Sequence, residues 1–401
     1  MSSLITVAEA QSLVVERAKP LEAERVPIER AFGRVLSEDV AARVDLPPFA
    51  SSAMDGYAVR SSDTATAPVS LAIVGSVAAG SPASRRLEPG EAMAISTGGA
   101  VPEGADAVVP LELTRRADGT VEVEQAAPVG AHVRGRGGDV TAGTVVLERG
   151  VRLGAAQVGS LAAAGIAEVQ CAKRPRVGIL VTGSELRKPG DELGPGQIYE
   201  SNGLMLAAQL ASAGAVPAQL GVVPDDEDEH RKTMERALLG FDMLVTSGGA
   251  SVGPHDLVRK VQSDLRVDEV FWGVAVKPGK PVAFGVRREH LVFNLPGNPV
   301  SALVCFELFV RPAIEALQGV PEPLPAFSTG VLAAPVARNA ARDEFVRARA
   351  EHEPDGLRLH PAAGQDSHMI VSAARADTLV EIPRGSGELA PGADVRYLTL
   401  P

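Results

Sequence analysis

The sequence predicts a multidomain protein that joins a doubly wound α/β domain to separate β-rich domains. Three observations carry this. Strands and helices alternate across residues 175–325, which implies βαβ units and a mostly parallel sheet. Short β-prone runs broken by Gly and Pro fill residues 45–141 and return over residues 326–401. The length, 401 residues, suggests two to four domains at ~100–200 residues each.

Residues 1–44 open with a helix. Thr6 followed by Glu9 is a capping-box pattern, and AEAQSLVVERAK behind it has helical periodicity. A second short helix is predicted over IERAFGRVLSEDV. The texture changes at DLPPF. VSLAIVGSV, AMAIST, ADAVVPLELT and TVEVEQ then read as strands of a small domain. Strand-turn-helix texture returns over residues 142–174, so 1–44 and 142–174 are predicted to form one split domain with the β-rich residues 45–141 inserted. In 175–325, RVGILVT, VPAQLGVV, FDMLVTSGG and HLVFNLPGNP read as strands. SNGLMLAAQLASAG, DDEDEHRKTMERALLG and VSALVCFELFVRPAIEAL read as helices. The apolar strands fit a sheet covered on both faces. Beyond LPAF, the runs FVRARAEH, GLRLHPA, TLVEIPRG and DVRYLTL form a last β domain.

Composition narrows the classes. Hydrophobic residues at 45% and charged residues at 22% are ordinary globular usage and exclude a dominantly disordered chain. Aromatics are only 3%, so the cores rest on Val, Leu, Ile and Ala. A net charge of −11 gives no basic footprint for duplex nucleic acid, so no nucleic-acid partner is expected, and an anionic ligand needs a locally positive site. No run reaches ~18 apolar residues and MSSLITVAEAQ has no secretory pattern, so neither membrane nor export is expected. Cys171 and Cys305 form no CxxC and fit a reduced, cytoplasmic chain.

Ligands of open α/β sheets bind beyond the carboxyl ends of the strands. Three Gly-rich segments end strands there: TGSEL, SGGASVG with Ser247, Gly248, Gly249 and Ser251, and LPGNP with Pro296, Gly297, Asn298 and Pro299. Each frees N–H groups beside a helix start, where an anion is stabilised. Asn298 is a good N-cap and Pro299 a good first helical residue. Any one such loop is equally an ordinary turn; three at successive strand ends point to a site. Lys277 and Lys280 flank a Pro-Gly turn in KPGKP and read either as oxyanion ligands or as solvated turn residues. Walker A and GxGxxG patterns are absent. Glu185, Asp225, Asp226 and Asp256 collect at strand ends, where oxygen ligands suit Mg²⁺, although the run from Asp225 to Glu229 also complements a helix dipole. In the insert, Asp55-Gly56 is a turn signal. Thr97, Gly98 and Gly99 offer hydroxyl and N–H donors. Arg134 and Arg136 stand near Asp139 in a loop that fits phosphate or plain solvent. The histidines lack zinc spacing, and no GxSxG elbow occurs.

SSAMDGYAVR, ISTGGAVPEGADAVVPLE, VRGRGGDVTAG, VTGSEL, IYESNG, VTSGGASVG, KPGKP, LPGNPVSA and GQDSHM, taken together, resemble the molybdopterin molybdenumtransferase family, which is also similar to the E domain of gephyrin. The matches run in family order from about residue 6 to the end. The resemblance implies a homodimer with an elongated split domain, an inserted β domain, a molybdopterin-binding α/β domain and a C-terminal β barrel. It implies binding of adenylylated molybdopterin and molybdate, cleavage of the adenylate with Mg²⁺, and metal entry into the dithiolene. Its acidic set falls on Asp55, Asp139, Glu185, Asp225 and Asp256, with Glu185, Asp225 and Asp256 expected on the metal. Thr97, Lys277, Lys280, Pro296, Pro299 and Ser367 match further family positions. Ser301, Arg347 and Ser367 are expected around an oxyanion held by Lys277. Transient contact with the adenylyltransferase and with recipient molybdoenzymes follows from the same resemblance. Two departures stand out: Ser184 where many relatives carry Asp, and Gly273 where many carry Lys. The alternatives are a non-catalytic molybdopterin-binding scaffold, a tungsten-inserting paralogue, and adenylylation of molybdopterin, which the additional domains argue against.

Overall fold

The structure, a computed structural model, describes residues 4–224, 226–248, 257–354 and 356–400. The chain divides into two compact units, one of residues Met1–Glu24, Gly33–Ser37 and Cys171–Pro401, the other of Arg25–Phe32 and Glu38–Gln170.

Helix α1 (Val7–Arg17) begins at the capping box read from sequence. Glu9 N donates to Thr6 Oγ1 at 3.1 Å, and Thr6 N returns a bond to Glu9 Oε2 at 2.7 Å. The second helix expected over IERAFGRVLSEDV is absent. Only a 3₁₀ turn forms, over Ile28–Arg30. Gly33 takes φ +74°, which an α-helix cannot contain, and Leu36 pairs instead in an antiparallel bridge with Cys171.

In the unit of residues 25–32 and 38–170, six strands form one sheet: β1 (Gly56–Val59), β2 (Val69–Val77), β3 (Glu91–Ile95), β4 (Ala107–Pro110), β5 (Thr114–Ala117) and β6 (Thr120–Val123), ordered β4-β1-β3-β2-β6-β5. Alternation sends Tyr57, Val59, Val109 and Val121 into one apolar cluster and Ala58, Met93, Ile95 and Val108 into another, so both faces of the sheet are covered. Helix α2 (Ala155–Ala163) follows in the same unit.

The other unit is built on a second six-stranded sheet: β7 (Arg176–Thr182), β8 (Val216–Val223), β9 (Met243–Ser247), β10 (Asp268–Trp272), β11 (Ala283–Arg287) and β12 (His290–Leu295). The order is β8-β7-β9-β12-β11-β10. The first four strands are parallel, and β11 and β10 add an antiparallel edge. Odd and even residues of the central strands enter different clusters. Val177, Ile179, Val245 and Phe293 meet α1, α3 (Asn202–Ser212) and the helical segment from Pro299 to Leu317. Leu180, Leu244 and Val292 meet α4 (Glu227–Gly240) and α5 (Leu257–Asp264). The two-sided burial read from apolar runs holds for β7, β9 and β12. Strand β8 is an edge with most of its residues partly or fully exposed.

The helical segment from Pro299 to Leu317 contains α6 (Pro299–Cys305), one π-helical turn over Phe306–Val310 and α7 (Arg311–Leu317). The C-terminal strands β13 (Ser328–Leu332), β14 (Asp343–Glu353), β15 (Gly356–Pro361), β16 (Thr378–Ile382) and β17 (Asp394–Thr399) close on themselves in the order β14-β15-β13-β17-β16-β14. Closure removes the free edges, and Leu332, Val346, Leu359, Val380 and Ile382 fill the interior. No helix among the described residues is long and apolar enough to cross a membrane.

Candidate active site

A cavity of about 740 Å³ opens at the carboxyl end of the parallel strands. Thr182 ends β7 and Gly183 follows it, Ser247 ends β9 and Gly248 follows it, and Gly297 to Pro299 lead from β12 into α6. Tyr199 to Asn202 precede α3, and His368 and Ile370 come from the C-terminal region. The size falls within the ~300–1,000 Å³ of small-molecule sites, and the position is where open α/β sheets bind ligands.

The loops are held together by buried polar groups. Asn202, 7% exposed, donates through Nδ2 to Ser247 Oγ at 2.8 Å and to Gly297 O at 2.7 Å. Ser247 Oγ in turn donates to Pro296 O at 3.3 Å. One amide therefore links the start of α3 to the ends of β9 and β12. Glu200 Oε1 accepts from Gly203 N at 2.6 Å and closes the first turn of α3. Thr182 Oγ1 lies 3.2 Å from Nε2 of the buried His230 in α4. Gly248 has φ +86°, and a Cβ there would sit 2.4 Å from Thr182 O, so only glycine lets the end of β9 pass the end of β7.

Asn298 occupies the N-cap position of α6, with Pro299 as its first residue, as the sequence predicts. Its side chain makes no cap bond. Nδ2 donates instead to Ser367 Oγ at 2.9 Å, and Val300 N donates to Ser367 O at 3.1 Å. The segment carrying His368 is thereby seated on the start of α6. Arg347 holds the same segment from beneath. It is fully buried, and Nη2 donates to Gly364 O at 2.7 Å and to Asp366 O at 3.4 Å. Gln365 completes the clasp by accepting from Arg347 N at 3.0 Å and donating to Arg347 O at 2.9 Å. Burial pulls the Arg347 guanidinium below its usual pKa, offset in part by Asp366 and Glu344.

The sequence-derived residues distribute as follows. Glu185, Ser247, Gly248, Gly297, Asn298 and Pro299 line the cavity, and Pro296 and Ser367 are bonded to residues that line it. Ser301 is buried in the first turn of α6, and neither it nor Arg347 is among the lining residues. Lys277 lies in the short strand Val276–Lys277, which pairs with the start of β14, and its Nζ is 2.9 Å from Glu344 Oε1. Lys280 is exposed at the end of the same turn. Gly279 packs on Cys305, whose thiol burial drives far up from its usual pKa. Asp226, one of the strand-end carboxylates, caps α4 by accepting from Glu229 N at 2.9 Å, the helix-dipole reading of that acidic run. Asp225, Gly249, Ser251 and Asp256 lie outside the described residues. Among the described residues, no group of three His, Cys, Asp or Glu side chains forms a metal-sized cluster.

In the unit of the inserted sheet, Asp55 and Thr97 meet: Asp55 Oδ1 accepts from Thr97 N at 2.8 Å. Gly56 is required there, because a Cβ would lie 2.0 Å from Val109 O. Gly98 takes φ +81° and donates to Ser52 O. Asp139 is exposed, with its N–H bonded to Leu46 O. Arg136 is paired with Asp45 at 2.5 Å. The Ala142 N–H and then Arg136 hold the Asp45 carboxyl below the usual range. Of the two departures, Gly273 has φ +92°, a conformation in which a lysine would be strained.

Thr182 lies in the TGSEL loop named from the sequence, whereas Tyr199, Glu200, Asn202, His368 and Ile370 line the cavity without having been singled out. The signal for two of them was present: Glu-Ser-Asn directly before an apolar helix is more polar than a cap requires.

Residues 5–165 match the model of the MoeA N-terminal region (domain I and II), residues 178–316 that of a probable molybdopterin binding domain, and residues 329–400 that of the MoeA C-terminal region (domain IV). The chain is 38% identical to molybdopterin molybdenumtransferase 2 of Mycobacterium tuberculosis, across 98% of this chain and 99% of that one. It is 34% identical to the molybdopterin molybdenumtransferase of Haemophilus influenzae, across 98% of both. A solved molybdopterin biosynthesis MoeA protein of Pyrococcus horikoshii superposes with a TM-score of 0.86 at 31% identity, covering 99% of this chain and 100% of that one.

Proposed function

The chain belongs to the molybdopterin molybdenumtransferase family, and we propose that it inserts molybdenum into molybdopterin delivered as its adenylate, releasing AMP. The observation that carries the reading is the cavity at the carboxyl end of the parallel strands, where three Gly-bearing loops and the Ser367–His368 segment converge. A phosphorylated pterin needs backbone N–H donors; the Gly-bearing ends of β7, β9 and β12 are their proposed source, and the Gly297–Pro299 turn leads directly into α6. Cleavage splits the phosphoanhydride P–O bond by addition of water, leaving AMP and the pterin phosphate. A rigid donor set aimed at the phosphates stabilises the charge that develops. Asn202, Ser247 and Arg347 act by holding those loops in place.

Mg²⁺ belongs to the same reading. Glu185, Asp225 and Asp256 are the residues that would hold it, and the ion would neutralise phosphate charge during cleavage. Glu185 on the cavity wall supports this assignment. Molybdate is the second substrate, with Lys277, Lys280, Ser301 and Ser367 as its proposed surroundings. The reading also includes a cytoplasmic homodimer in which Asp55, Thr97 and Asp139 of one subunit serve the α/β domain of the other, a proposal that rests on the family resemblance.

The test mixes purified protein, adenylylated molybdopterin, molybdate and Mg²⁺, then measures AMP and active cofactor. Both should appear together and fall when Mg²⁺ is chelated. Binding of the adenylate without any AMP release would mark a scaffold instead.

A further inference from the structure

A second large cleft lies at the other end of the same sheet. Its volume is about 910 Å³, and its lining includes Lys19, Lys173, Arg174, Arg176, Arg288 and Glu289. Arg176 opens β7, Asp242 precedes β9, and Arg288 with Glu289 forms the turn between β11 and β12. These are the amino ends of the parallel strands. Strand β7 has seven residues, so at ~3.3 Å per residue the cleft is roughly 20 Å from the cavity described above.

Charge inside the cleft departs from the chain as a whole, which carries −11. Three of the carboxylates on its wall are already engaged. Glu22 accepts from Lys173 at 2.7 Å, Glu16 pairs with Arg17 at 3.1 Å, and Asp242 accepts from Arg176 N at 2.7 Å. Lys19, Arg174 and Arg288 have no ion-pair partner among the described residues, and the Arg176 guanidinium lies over the Phe241 ring at 5.4 Å. The Asp242 bond is to a backbone N–H and cancels no charge, so four cations face two carboxylates, Asp242 and Glu289.

The hairpin turn adds an independent sign. Arg288 takes φ +57°, one of three positive-φ residues other than glycine among the described residues. Such a turn position is ordinarily filled by Gly, Asn or Asp. Here a strained backbone carries a guanidinium to the cleft, and strain of this kind gathers at functional positions.

We infer that this cleft is a binding site for a small phosphate-bearing anion, held by Lys19, Arg174, Arg176 and Arg288 and separate from the cavity at the carboxyl end. Planar guanidinium groups match phosphate oxygens in pairs. The concave shape and volume fit a small molecule.

The test uses inorganic pyrophosphate as probe and local hydrogen exchange of the full chain as readout. Residues 173–176 and 286–290 should gain protection in the wild type, with affinity at least about tenfold weaker in an Arg174→Ala/Arg288→Gly protein. Arg288→Gly alone should weaken binding while raising the melting temperature, since glycine relieves the turn. A merely structural Arg288 would leave affinity unchanged. No protection at these segments, or equal affinity in wild type and double variant, would overturn the inference. So would tighter binding of an oligoglutamate peptide than of pyrophosphate, which would make the cleft a protein-docking surface.

Discussion

Lys277 Nζ lies 2.9 Å from Glu344 Oε1, joining the KPGKP turn of the α/β domain to the first residues of the C-terminal barrel. The lysine proposed to meet an oxyanion is thus matched to a nearly buried carboxylate. An incoming molybdate would compete with that carboxylate for one ammonium. A chain at −11 repels anions at long range, so capture depends on such local cations. Lys277→Ala should raise the half-saturating molybdate by about ten- to a hundredfold, for a charged hydrogen bond of ~1.5–3 kcal/mol. Glu344→Gln should move it the other way by up to about fivefold, the ~0.2–1 kcal/mol of a partly exposed pair. AMP release against molybdate concentration at fixed Mg²⁺ measures both. An unchanged value in Lys277→Ala removes this lysine from the oxyanion site.

Asn202 is the link between three cavity loops, and its removal strands Gly297 O and leaves Ser247 Oγ only its bond to Pro296 O. Asn202→Ala should cost about 1–3 kcal/mol in urea unfolding, the penalty of leaving buried polar groups unpaired. Asn202→Asp should be no better, since a carboxylate cannot donate to Gly297 O. Both should slow AMP release by more than tenfold at temperatures where the protein is folded. Wild-type turnover in either variant would show that the loops keep their positions without this amide.

Arg347 holds Gly364 and Asp366 from a fully buried position, whereas Ser367 reaches Asn298 at the surface of the same segment. Arg347→Met should therefore loosen the entire 364–370 segment, and Ser367→Ala only one contact. Hydrogen exchange of residues 364–370 should rise at least about tenfold in the first variant and stay near wild type in the second. Equal exchange in both would assign Arg347 to something other than positioning.

Glu227 stands in the first turn of α4 and pairs with Lys260 of α5 and with Arg231. Lys260 holds its carboxyl below the usual range, with Arg231 contributing less. A folded pKa below the unfolded one adds stability that is present above the usual carboxylate pKa and lost as pH falls through the lowered value. Glu227→Gln should lower the melting temperature at pH 7 and have no effect near pH 2. A difference of the same size at both pH values would show that the charge plays no part.

The larger elements were legible in the sequence because each combined two signals. RVGILVT is apolar between its end residues and rich in β-branched side chains, and it became the inner strand β7. Thr6 and Glu9 marked the start of α1 through side chains that bond within one turn. IERAFGRVLSEDV misled because its apolar spacing resembles a helix while Gly33 needs φ +74°. VPAQLGVV looked like a buried strand because composition does not record a strand's place in a sheet, and this one is at the edge. The Gly loops of the site were visible as Ser247, Gly248 and Gly297. Asn202 passed as a helix cap, since its two bonds reach residues 45 and 95 positions away, contacts no local pattern encodes. Burial of Arg347 was equally unreadable, because an arginine in an alternating strand is ordinarily placed outward.

The central claim is that the substrate adenylate sits at the carboxyl end of the parallel strands. Hydrogen exchange with and without adenylylated molybdopterin tests it most directly. Protection should concentrate in residues 182–186, 198–203, 247–248, 297–301 and 366–370, and it should weaken strongly in the Asn202→Ala protein. Binding of the adenylate with no protection in these segments, or with protection confined to residues 173–176 and 286–290, would contradict it.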